Sequence, residues 1–213
     1  MTATVVVRGT GTAPARPDRA VLVFDVAHLA PTAAGALQEV AERSARLEQL
    51  LRERGVGDGD WTTTGVTVQP AYEWQKDQRV LLGQRAANQL QVTARDAGLV
   101  GRLLTDAVEV AGARVGGPQW IVEPANPAHA AACAAAARDA RRRAEAYAAG
   151  LGLSLGEVVV VDETSPDRAV PVGRAMLAMK VSADMGDDTP IEVNAGDLDV
   201  TADVRVTFVL VPA

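Results

Sequence analysis

The sequence predicts an α+β fold, with antiparallel sheet packed by helices in the order β-β-α-β-β-α-β-α-β-β. Three observations carry the prediction. Leu198, Val200, Ala202, Val204, Val206, Phe208 and Leu210 are apolar, and Asp199, Thr201, Asp203, Arg205 and Thr207 stand between them. Alternation with period two over this length is a long strand with one buried face. Three other segments repeat apolar residues at steps of three and four, the helical period. Finally, residues 19–123 read strand-helix-strand-strand-helix-strand, the split βαβ order of ferredoxin-like folds.

In chain order, strands are predicted at residues 4–8 and 19–28. A helix follows over residues 32–54. Leu37, Val40, Ser44, Leu47 and Leu51 make its core stripe, Thr32 is its N-cap and Gly55 its stop. Strands at 62–72 and 88–95 flank a polar hairpin loop over residues 73–84. The second helix spans 97–111, with Asp96 as N-cap and Gly112 as stop. Leu99, Leu103, Leu104, Ala107 and Val108 form its buried side. A strand at 115–123 leads to the third helix, opened by Asn126-Pro127 and closed near Gly150 and Gly152. His129, Cys133, Ala136, Ala140, Ala144, Tyr147 and Leu151 form its inward stripe. Arg138, Asp139, Arg141, Arg142, Arg143 and Glu145 form a solvated face. Residues 158–161, four consecutive valines, read as a central strand.

The chain has 213 residues, of which 48% are hydrophobic and 23% charged, so it can bury a sizeable core. No Pro- or Ser-rich linker divides it. One domain over residues 1–213 is expected, with possible subdomains at 19–123 and at 124–213 together with 1–12. Only 3% of residues are aromatic, so the core is aliphatic. A net charge of −6 argues against a nucleic-acid surface. The one cysteine, Cys133, excludes an intramolecular disulfide. No run approaches the ~18 apolar residues of a transmembrane segment. The first residues lack the basic and apolar regions of a signal peptide. The location expected from the chain as written is cytoplasmic, or periplasmic if a leader was removed.

Candidate chemistry is sparse. Gly9-Thr10-Gly11 follows a strand, but Pro14 and Pro17 follow it and no helix begins there. A dinucleotide loop needs a helix N-terminus at the phosphate, so the glycines read as a turn between strands. His129 and Cys133 share a helix face at i, i+4, yet a zinc site needs further ligands. Cys133 reads as a buried, inert thiol. Asp184, Asp187, Asp188 and Glu192 lack the order of a calcium loop. No nucleophile motif or phosphate loop is present. No catalytic residue, cofactor or metal is therefore assigned.

Two stretches suggest contact surfaces. Residues 164–197 show no clear element and carry Met176, Leu177, Met179 and Met185. Loops beyond ~15 residues tend to be functional or disordered, and flexible apolar side chains outside a core suit an interface. A short element packed on its own subunit explains them equally well. Tyr72 and Trp74 flank the tip of the hairpin; they read either as an assembly contact or as a cap on the sheet end.

These motifs, taken in order, resemble a known family. The opening Val5-Val6-Val7-Arg8-Gly9-Thr10-Gly11 with Pro17-Asp18 looks like the start of the SIMPL domain. Pro31-Thr32 before the first helix, Thr62-Thr63-Thr64-Gly65 with Pro70 and Tyr72, Gly83-Gln84-Arg85-Ala86-Ala87-Asn88-Gln89-Leu90, and the Ala-rich stretch 134–153 are similar to its later motifs, although Gln84 stands where Tyr is common. The resemblance covers essentially the whole chain. It implies a bacterial protein of the periplasm or envelope, in some members linked to oxidative-stress tolerance or to ring-like homo-oligomers, with no family-wide enzymatic activity or cofactor. The expected function is a non-enzymatic protein that self-assembles into a homo-oligomer. A small-molecule-binding protein or enzyme and a protein-interaction adaptor are the alternatives.

Overall fold

A computed structural model describes residues 3–75, 78–163 and 193–213. Among these the elements are β1 (Thr4–Ala15), β2 (Arg19–Ala30), α1 (Ala33–Glu53), β3 (Trp61–Gln75), β4 (Gln78–Ala94), α2 (Ala97–Ala111), β5 (Arg114–Ile121), α3 (Pro127–Gly150), β6 (Leu153–Glu163) and β7 (Leu198–Pro212). The architecture is α+β, in the expected order, with two antiparallel sheets. The strands and helices divide between two compact units.

One unit contains β2, α1, β3, β4, α2 and β5. Its sheet order is β3-β4-β2-β5, with every neighbouring pair antiparallel. β2 and β3 therefore run parallel with β4 between them and α1 as their connection, which is the split βαβ. Leu22, Phe24 and Val26 of β2 and Leu90 and Val92 of β4 alternate onto one face. There they meet Leu47 and Leu51 of α1 and Val100, Leu103 and Ala107 of α2, all fully buried or nearly so. Ser44 sits within the apolar stripe because Asn88 Nδ2 donates to its hydroxyl at 2.9 Å. The helix ends follow the sequence. Thr32, Asp96 and Asn126 each accept a backbone N–H of their own first turn, and Gly112 closes α2 at φ 59.

Two helix faces are corrected. Leu37 of α1 and Val108 of α2 are exposed, while Leu50, Val100 and Ala111 are buried in their place. Leu99 and Leu104 are only partly buried. A stripe read from spacing alone can rotate by one residue when the sheet beneath prefers the adjacent row.

The other unit contains β1, α3, β6 and β7. Its sheet order is β1-β7-β6. The long alternating strand β7 takes the centre, and α3 packs on β1 and β7. The inward stripe of α3 is Ala128, Ala132, Ala136, Ala140, Ala144 and Ala148 at steps of four, joined by Asp139. Cys133, Tyr147 and Leu151 are exposed, contrary to the expected stripe. The glycines explain the choice. Gly9 and Gly11 lie within β1, not in a turn, because β1 continues to Ala15. A Cβ on Gly9 would stand 2.1 Å from the Ala136 carbonyl oxygen, and one on Gly11 2.2 Å from that of Ala132. Only a Gly-on-Ala seam permits this approach.

Two further expectations are overturned. The predicted loop over 73–84 is mostly strand, with β3 running to Gln75 and β4 starting at Gln78. The valine run at 158–161 is not central. It lies in β6, at the sheet's edge, and its side chains are 43–61% exposed. An unbroken apolar run signals burial on both faces only in a covered sheet.

Candidate interaction surface

The first feature is a projecting β-ribbon. β2 flanks β4 only from Ala94 up to Gln84, opposite Ala30. Beyond that point β3 and β4 continue as a two-stranded arm, with Ala71 paired to Gly83 and Gln75 to Gln78. Trp74 lies opposite Arg79, and Tyr72 opposite Leu81, so these four share a face. The Arg79 guanidinium stacks 3.7 Å from the Tyr72 ring centre. Trp74 is 74% exposed and Tyr72 43%, and Leu81 and Leu82 are also exposed. Among the described residues neither aromatic belongs to a buried cluster. By contrast Trp61 and Trp120 pack against the helix-side core. Sequence reasoning singled out Tyr72 and Trp74 but took their surroundings for a loop. Met176, Leu177, Met179 and Met185, and the acidic residues 184–192, lie outside the described residues.

The second feature is the contrast between two sheet edges. At β1, the Thr10 N–H points away from β7 and donates to Asp139 Oδ2 at 3.1 Å. Arg142 and Arg143 donate to the same carboxylate at 2.5 and 2.8 Å. These donors, led by the Thr10 N–H and opposed by burial, hold the Asp139 carboxyl below the usual aspartate range. Asp139 thus engages the β1 edge. At β6, no strand among the described residues pairs with the outer edge. The exposed valines are bracketed by exposed Glu157, Asp162 and Glu163. Sequence reasoning missed this edge because a valine run looks like core.

Chemical sites are less developed. On the sheet face away from α1 and α2, Asp25, Thr67, Gln69, Arg85 and Gln89 line an open, polar depression of about 300 Å³. Among the described residues His129 Nε2 is buried without a hydrogen-bond partner, whereas Cys133 is exposed, so the pair does not converge. Among the described residues no three His, Cys, Asp or Glu side chains are grouped to hold a metal. No helix among them is long and apolar enough to cross a membrane.

The fold is that of an α+β protein which, among the described residues, exposes apolar side chains on the β3–β4 ribbon and on the edge strand β6. The SIMPL family, described as "Protein of unknown function (DUF541)", matches residues 5–208, and the chain belongs to that family. It is 28% identical over 220 residues to the "26 kDa periplasmic immunogenic protein" of Brucella melitensis, covering 97% of this chain and 84% of that one. It is 33% identical over 158 residues to the "Uncharacterized protein YggE" of Edwardsiella ictaluri, covering 74% of this chain and 66% of that one. The Escherichia coli K12 protein of the same name is 30% identical over 105 residues, covering 49% and 43%.

Proposed function

We propose that this chain is a non-enzymatic protein that assembles with copies of itself in the bacterial periplasm. The carrying observation is the ribbon. A two-stranded ribbon is marginal in water by itself, and this one exposes Tyr72, Trp74, Leu81 and Leu82. Exposed aromatic and aliphatic side chains on a projecting element suit an interface. The open β6 edge adds a second surface of the kind proteins normally cover or charge. The periplasm is favoured over the cytoplasm because the Brucella relatives are named as periplasmic proteins.

Light scattering and sedimentation of the purified chain test the reading. A homo-oligomer is expected at tens of micromolar; a monomer throughout that range overturns it. Ligand binding is the second reading, and the polar depression around Asp25 and Arg85 favours it. It is open and polar, unlike the enclosed, mostly apolar pockets that hold small molecules, so assembly is the stronger reading.

A further inference from the structure

We infer that assembly proceeds head to tail, by pairing the free edge of β4 in one copy's ribbon with the free edge of β6 in the next copy. The inference rests on the self-assembly proposed above and names its surfaces. Both edges are apolar at their centres: Val80, Leu81 and Leu82 on β4, and the valines at 158–161 on β6. Both are unpaired among the described residues, since β2 ends at Ala30, opposite Gln84. The free stretch of β4 is 78–82, and among the described residues the outer edge of β6 is open along Leu153–Glu163, so the shorter ribbon edge fits within it.

Charge favours this pairing over a β6–β6 or a β6–β3 contact. The β6 edge carries Glu157, Asp162 and Glu163, all exposed. Two β6 edges meeting across a two-fold axis with their valines overlaid would set Glu157 against Asp162 or Glu163, and like charges directly opposite destabilise a sheet. The outer edge of β3 presents Glu73, again acidic. The β4 edge presents Arg79. An antiparallel register of 78–82 on 159–163 sets Arg79 opposite Asp162 and lays residues 80–82 along 159–161. Such a contact joins two different surfaces, so it is heterologous, and repeated contacts close into a ring or extend as a filament.

Charge reversal in the full chain tests it, with circular dichroism as the check on folding and sedimentation as the readout. Arg79→Glu and Asp162→Arg are each expected to weaken assembly by about tenfold or more. An equal mixture of the two variants is expected to assemble again, because each altered edge then meets its complement. Arg141→Glu, on the exposed face of α3, is the control and is expected to change nothing. A wild-type chain that stays monomeric overturns both the proposed function and this pairing. A wild-type oligomer indifferent to both reversals overturns the pairing and leaves self-assembly standing. Weakened single variants that fail to rescue each other overturn the head-to-tail arrangement.

Discussion

Gly11 and Asp139 show how single residues set the packing of α3 on β1. The space for a Cβ at Gly11 is already taken by the Ala132 carbonyl, 2.2 Å away, and backbone cannot yield as a side chain can. Gly11→Val is therefore expected to destabilise the fold by about 3 kcal/mol or more, measured by urea unfolding. Ser44→Ala leaves the partly buried amide of Asn88 without this acceptor and is expected to cost about 1 kcal/mol in the same experiment. Asp139 gives a pH signature. Its folded-state pKa lies below its unfolded one, so its stabilisation is present above the unfolded value, near pH 4, and is lost as pH falls through the folded value. Asp139→Asn keeps an oxygen for the Thr10 N–H but removes the titration. The stability difference between wild type and variant is expected to shrink as pH falls from ~5 to ~2, followed by unfolding midpoints across that range.

Among the elements, the ribbon and β6 are expected to separate folding from assembly. Trp74 and Val160 are exposed, so Trp74→Ser and Val160→Lys are expected to leave unfolding stability within about 0.5 kcal/mol at dilution while reducing the oligomer seen by sedimentation. Both surfaces also mark where periodicity stops informing. Alternation identified β7 and the apolar face of β2, and Thr32, Asp96 and Asn126 announced their helices, because caps and periods are local properties of the chain. Whether a strand is central or at an edge depends on partners far along the sequence, so the valine run of β6 was misplaced. The face of α3 escaped for a related reason. Its helix is so rich in alanine that several rows look alike, and the glycines of β1 choose among them. The Tyr72–Trp74 pair was legible as aromatics near a hairpin tip, but the reach of the ribbon was not, since its Gln and Arg residues read as loop.

At the scale of the whole molecule, assembly and stability are linked. If copies associate only when folded, mass action raises the melting temperature with protein concentration. A rise of a few degrees between about 1 and 100 μM is expected by calorimetry or circular dichroism, and the Arg79→Glu chain is expected to show a smaller one. The placement of the three tryptophans has a spectroscopic consequence. Trp61 and Trp120 sit against the core, while Trp74 stands 74% exposed on the ribbon. The chain thus carries an intrinsic fluorophore at the surface where copies are expected to meet and two others as internal references. Burial of the Trp74 indole would move its emission to shorter wavelength and shield it from iodide, so association can be followed without any attached label.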